Sequence, residues 1–479
     1  MTVVQRIIKN ASVLFFAQII TAIASIIFSV YLARKLGDIE FGKYSFALAF
    51  ATYFSVFLDL GYNTLLIRDV ARDKSLASKY LGNLLIFRAI SSIIVFISMV
   101  VSIMLLGYPT ETRIVVYLLG IFTIVLTISD IYKVTFRAFE RMEYEAAINV
   151  FSLLFRVIIG LILLFSGYGL IEISIVCIIS SILDLAFCFY FCQKKFVKTP
   201  LHFSPSFIKT TFKAALPIGM LSLFATIYVR TDTILLSIMK GDAVVGWYNA
   251  AYNLVIGFKL IPHLFMNVLL PLMSYYFVSS KDLLKITYEK SFRYLLILGL
   301  PLSAGLCLLS DKIIIFFYGT AFSNSIIALQ ILAWDSFLVF LYSCLAFVLV
   351  SINKQNQMAI IAGVTALINV VLNLFLIPTY SYVGSAVATI IAEGFIFVAY
   401  LCLISVHLHK LPLFKIFTKP ILGCAGMVFI VWQLHNMNLF ILIGLGIIVY
   451  FGLFALMKGF SKDDISLIKQ LLQRQKKQE

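Results

Sequence analysis

Apolar residues run through this chain in long blocks rather than in alternation or in narrow amphipathic stripes. Blocks of about 20 apolar residues are what a helix needs to cross the hydrocarbon of a bilayer. They fall at 12–33, 45–66, 83–106, 114–133, 147–166, 172–192 and 214–237. The second half continues with 247–277, 292–310, 326–350, 358–377, 384–406, 419–435 and 438–457. The polar stretches between them are short, the longest being 193–213. The pattern predicts an all-α integral membrane protein of about 14 transmembrane helices, with little chain outside the bilayer.

Composition agrees. The chain is 62% hydrophobic and 13% charged, whereas soluble domains run at about 45–50% and about 25%. A net charge of +16 would suggest nucleic acid in a soluble protein. No soluble basic patch or recognition helix is available here, so no nucleic-acid partner is expected and anionic membrane lipid explains the charge better. With the N-terminus placed in the cytoplasm, Lys and Arg divide 28 to 6 between cytoplasmic and outer connections. That asymmetry puts both termini of a multi-pass membrane protein on the cytoplasmic side. The seven cysteines all lie in apolar segments with no ligand spacing, so they read as inert core thiols and no metal site is expected. The end of the chain, from Ser461-Lys462-Asp463-Asp464 onward, reads either as a short amphipathic helix on the inner leaflet or as a solvated tail.

One local repeat stands out. Residues 37–47 and 241–251 share Gly, Asp, Gly, Tyr and Ala at a constant offset of 204: Gly37, Asp38, Gly42, Tyr44 and Ala47 against Gly241, Asp242, Gly246, Tyr248 and Ala251. Both stretches join the first and second spans of a six-span set. Parallel repeats of this kind build two-lobed transporters with the substrate between the lobes. The expected organisation is a lobe over 1–195, a second over 196–410, two further spans in 411–457 and a cytoplasmic tail over 458–479. Gly37 to Lys43 also imitates a phosphate-binding loop. Tyr44 stands where Ser or Thr should hold magnesium, and the context is not a strand entering a helix, so no ATP site is expected.

Four cations lie inside predicted spans: Arg88, Arg156, Arg230 and Lys259. Each opposes insertion by roughly 2.5–3.5 kcal/mol at a helix centre. Arg156 and Lys259 fall near mid-span, Arg230 in the outer half and Arg88 near the inner end, where it can also snorkel. Two explanations compete: a cationic path for an anionic substrate, or neutralisation by the buried acids Asp59, Asp184, Asp232, Asp335 and Glu393. Arg230 and Asp232 lie two apart on nearly opposite helix faces and are not expected to pair. Pro262 and Pro271 are expected to break the eighth span beside Asn253, Lys259 and His263, as helices at transporter cavities are broken.

Further short motifs follow in order. They are Leu32-Ala33-Arg34-Lys35-Leu36-Gly37, Phe41-Gly42-Lys43-Tyr44, Asp59-Leu60-Gly61, Ile67-Arg68-Asp69, Tyr318-Gly319-Thr320-Ala321-Phe322, Asn373 to Pro378 and Gly384 to Thr389. With these motifs the chain resembles the polysaccharide-transporter branch of the multidrug/oligosaccharidyl-lipid/polysaccharide exporter superfamily, the O-antigen and teichuronic-acid type flippases. Glu172 departs from the pattern, standing where glycine is more usual. The resemblance implies two six-helix lobes, a central cavity and two extra C-terminal helices, working by alternating access without enzymatic chemistry or a cofactor. The implied cargo is a polyprenyl-diphosphate-linked oligosaccharide passing from the inner to the outer leaflet, with a polysaccharide polymerase and glycosyltransferases as partners. The expected contacts to diphosphate and sugar are Arg88, Arg156, Arg230, Lys259 and Asn253. Asp59, Asp232 and Glu393 are expected to couple H+ or Na+ or to pair with the cations. A lipid II flippase and, less well matched in charge, a cation-coupled multidrug antiporter of the same superfamily are the alternatives.

Overall fold

A computed structural model describes residues 3–198 and 203–459, with side chains from residue 13. The predicted amphipathic tail from Ser461 lies outside the described residues.

Among the described residues the chain is helical throughout, with no strand. Fourteen α-helices follow in order. They are α1 (Val3–Asp59), α2 (Tyr62–Arg72), α3 (Leu76–Leu105), α4 (Thr110–Ala138), α5 (Met142–Phe165), α6 (Leu170–Lys195) and α7 (Pro205–Lys240). The rest are α8 (Asp242–Ser279), α9 (Lys281–Leu308), α10 (Ser310–Tyr318), α11 (Ser325–Ser351), α12 (Gln355–His407), α13 (Leu413–Gln433) and α14 (Leu439–Leu456). Twelve of them are long and apolar enough to cross a membrane. A helix satisfies every backbone donor and acceptor within itself, which is why hydrocarbon selects it.

Two of the twelve are double spans. α1 breaks at Gly37 (φ 83, ψ 178) and α12 at Ser381 (φ 54, ψ −137). Counting the halves separately recovers the fourteen apolar segments of the hydropathy pattern. The predicted second span, 45–66, ends early at a turn through Leu60 and Gly61, and α2 then runs separately. α2 is too short to cross. It buries Tyr62, Leu65, Leu66 and Val70 and carries Arg68, Asp69 and Arg72. The predicted break in the eighth span is absent, since α8 stays helical through Pro262 and Pro271. Membrane helices tolerate proline where neighbouring groups or water meet the freed carbonyls.

The 37–47 and 241–251 stretches are structurally reciprocal. Gly241 (φ 88, ψ 176) repeats the backbone of Gly37. A Cβ on Gly42 would sit 1.8 Å from the Asp242 carbonyl oxygen, and one on Gly246 would sit 2.1 Å from that of Asp38. The Trp247 indole donates to Asp38 at 2.8 Å. Each copy therefore rests its glycine on the other copy's aspartate backbone, which only a residue without a side chain permits. Lys43, the apparent phosphate-loop lysine, is held by Glu40 at 2.6 Å and Glu111 at 2.9 Å.

By contact the chain forms two compact units. One comprises 1–257, 317–328 and 359–392, and the other 258–316, 329–358 and 393–479. In the first, α4 packs on α6, α3 and α2, and α1 packs on α5, α4 and α7. In the second, α13 packs on α14 and α9.

Candidate functional site

The four intramembrane cations part into two kinds. Arg88 is fully buried and spends its guanidinium on four oxygens. It donates to the Leu58 carbonyl at 3.2 Å, the Thr127 carbonyl, Asp59 at 2.6 Å and Asn63 at 2.8 Å. It does not snorkel. It ties the end of α1 and the start of α2 to α4, and Asp59 further accepts the Asn63 amide at 3.0 Å. Lys259, in the second unit, is ion-paired with the fully buried Asp335 at 2.7 Å. Beside them Tyr342 meets Glu393, itself buried.

Arg156 and Arg230 differ. Both lie in the first unit and are half-buried, and among the described residues neither has a carboxylate partner. The Arg156 guanidinium lies over the Phe122 ring at 5.1 Å, a cation–π contact that partly offsets its desolvation. Arg230 sits near Tyr252, whose ring stacks on Tyr248 at 5.7 Å. Asn253 donates to the Ser29 hydroxyl at 3.1 Å, joining α8 to α1.

Asp232 faces away from Arg230 into a cluster of neutral polar groups. It accepts from Tyr248 at 2.8 Å, Thr389 at 2.8 Å and Asn373 at 2.7 Å, and it is 4% exposed. Among the described residues, the amide oxygen of Asn373 and the Ser385 hydroxyl are buried with no hydrogen-bond partner. The carboxylate, the Thr389 and Ser385 hydroxyls and the Asn373 amide oxygen are hard donors of the type a hard cation takes, once the Asn373 amide nitrogen that now donates to Asp232 turns away.

Hydropathy alone misses a further row of charges. It ends the fourth span at Lys133 and assigns Lys133, Arg137 and Arg141 to a connection. The structure continues α4 to Ala138 and buries Lys133 at 6% exposure. Asp130, Lys133 and Arg137 follow at helical spacing and form one stripe. Lys133 lies 2.8 Å from Asp184 on α6 and 3.8 Å from Asp130, and Ser129 also donates to Asp184. Arg137 grips Glu145 of α5 with two donors, one at 2.7 Å. The signal available in sequence was this spacing, together with the acid at Asp184.

Arg137 and Glu145 also line a cavity of about 370 Å³, closed by Gln18, Thr21 and Asn149 from α1 and α5. Polar groups on three helices thus meet at one end of a helical bundle. Such a cavity can hold a hydroxyl-rich or anionic group, and nothing in it resembles a nucleophile with its base.

The fold is that of the flippases and transporters of the multidrug/oligosaccharidyl-lipid/polysaccharide superfamily. Lipid II flippase MurJ, in an inward closed conformation, superposes with a TM-score of 0.79 at 19% identity, covering 94% of this chain and 98% of its own. An inward-facing multidrug resistance MATE transporter matches with a TM-score of 0.63 at 15% identity, over 81% and 95%. At the sequence level the match is narrower. Residues 7–277 match the family described as Polysaccharide biosynthesis protein, and the chain belongs to that family. Capsular polysaccharide biosynthesis protein CapF of Staphylococcus aureus is similar at 22% identity over 406 residues, 82% of this chain and 98% of CapF. The family and the matched folds are those of transporters and flippases rather than enzymes.

Proposed function

We propose that the protein carries a polyprenyl-diphosphate-linked oligosaccharide repeat unit from the inner to the outer leaflet of a prokaryotic cell membrane, for surface polysaccharide assembly. In this reading both termini are cytoplasmic, glycosyltransferases supply the cargo and a polymerase consumes it. The observation that carries it is the pair Arg156 and Arg230, half-buried in apolar helices with no carboxylate partner among the described residues. A diphosphate is the counter-ion that explains them, because a guanidinium fork fits phosphate oxygens in pairs. With the interior negative, a cargo of about two negative charges gains about 4–5 kcal/mol per 100 mV on moving outward. A second reading, lipid II as cargo, is favoured by the TM-score of 0.79 with MurJ and involves the same headgroup chemistry.

Arg156→Ala and Arg230→Ala are each expected to lower translocation about tenfold or more, the worth of one hydrogen bond to a charged group. The measurement is surface polysaccharide together with accumulated lipid-linked intermediate in cells. Wild-type polymer in both variants would refute the path. Lys259→Ala is a poorer probe, because it would strand buried Asp335.

Coupling is assigned to Na+ at Asp232, where Thr389, Asn373 and Ser385 add neutral oxygens. Sodium is expected to raise the thermal midpoint of the purified protein over choline at equal ionic strength, and Asp232→Asn to remove the difference. Equal midpoints in wild type would rule out sodium at this site.

A further inference from the structure

We infer that the Tyr44 hydroxyl is a second donor to the phosphate that Arg156 receives, so that the two side chains form one subsite for a lipid diphosphate within the first unit. The inference rests on the path proposed for Arg156 and adds a residue to it. Four helices meet there. α5 brings Arg156, whose guanidinium lies over the Phe122 ring of α4 at 5.1 Å. α1 brings Tyr44 beside Arg156, and α6 brings Cys177, which the Tyr44 hydroxyl faces. The depths agree, since Tyr44 lies seven residues past the break at Gly37 and Cys177 seven past the start of α6. Each is therefore about 10 Å along its own helix. Phe122 and Cys177 are buried, so ring and thiol are fixed walls. An aromatic face covers one side of a guanidinium and leaves its N–H edge to a ligand.

The internal repeat shows what is unusual about Tyr44. Its counterpart in the second copy, Tyr248, donates to the Asp232 carboxylate at 2.8 Å. Tyr44 meets no carboxylate. Among the described residues its hydroxyl finds only the thiol, a weak acceptor, with a guanidinium alongside. A donor resting on so weak an acceptor passes readily to a charged oxygen, because hydrogen bonds to ionised acceptors are roughly twice as strong. The guanidinium fork takes two oxygens of a phosphate and the hydroxyl takes a third. A carboxylate has only two oxygens, so the added donor selects phosphate. Tyr44, which spoils the likeness of residues 37–43 to a magnesium-nucleotide loop, thus serves phosphate by another route.

The test uses the full chain, purified in phosphatidylcholine micelles and titrated with farnesyl diphosphate or with farnesol, the same chain without phosphate. The thermal midpoint reads binding. Tyr44→Phe, which removes one oxygen and keeps the ring, is expected to weaken farnesyl diphosphate about tenfold, the worth of one hydrogen bond to a charged group. Farnesol binding should not change. Cys177→Ser gives the Tyr44 hydroxyl a strong acceptor and is expected to weaken farnesyl diphosphate as well; it decides the matter should Tyr44→Phe not fold. An equal loss for farnesol would mean that Tyr44 acts through packing, and would overturn the inference. So would wild-type farnesyl diphosphate binding in Tyr44→Phe where Arg156→Ala weakens it, a result that leaves the Arg156 path standing. Farnesyl diphosphate binding absent in wild type, or undiminished in Arg156→Ala, would remove path and subsite together.

Discussion

Lys133→Met is expected to lower stability by about 3–5 kcal/mol, the usual result of removing one member of a buried ion pair. Asp184 is 2% exposed and lies 2.8 Å from the ammonium. Without that cation its charge keeps the Ser129 hydroxyl and the weakly donating Cys188 thiol at 3.9 Å, and neither carries a charge. Asp184→Leu should cost a similar amount by stranding Lys133. The double variant Lys133→Met/Asp184→Leu should regain most of the loss, because a buried pair replaced by apolar groups of similar size is often neutral or better. Thermal unfolding of the detergent-solubilised protein measures all three. Additive losses in the double variant would show that the pair is not the unit of stability. Translocation by a stable double variant gives a second result: activity restored marks the pair as a packing device, and activity still absent marks the charges as part of the transport cycle.

Gly42→Ala and Gly246→Ala are expected to be the most damaging conservative changes. Ordinary overpacking costs about 1–3 kcal/mol, because side chains can shift aside. Here the atoms met at 1.8 Å and 2.1 Å are main-chain carbonyl oxygens, so two helix ends must separate instead. Separation also loses the Trp247 to Asp38 hydrogen bond of 2.8 Å. Both variants should accumulate poorly and melt early. Gly305→Ala is the control: a Cβ there meets nothing within 4 Å, and alanine suits a helix better than glycine. A Gly42→Ala protein as stable as wild type would mean that the two repeat copies do not depend on this close approach.

Much of the fold was legible because lipid imposes one rule on every span. Each of the fourteen predicted blocks has a helical counterpart, and the errors are at ends and joints. Two pairs of blocks are single broken helices, joined at Gly37 and Ser381. The prolines of α8 do not break it, since proline removes one donor and frees a carbonyl without having to stop a helix inside a membrane. Lys133 reads as the end of a span because hydropathy is a property of one segment, whereas the acid that lets α4 continue past it, Asp184, comes from α6.

Length, hydropathy and charge asymmetry determine by themselves that this is a multi-span helical membrane protein with buried cations, since the bilayer tests each segment of chain separately. Sequence also gave the offset of 204 between the Gly-Asp stretches, but only the folded chain turns that likeness into reciprocal contact. Which cations are already neutralised was decided by tertiary structure alone. Arg88 meets Asp59 across 29 residues, and Lys259 meets Asp335 across a still longer separation. Arg156 and Arg230, identical to Arg88 in composition and similar in setting, meet no carboxylate among the described residues. The physical reason is that desolvation is local to a segment and readable from it, whereas neutralisation depends on a partner that another helix brings.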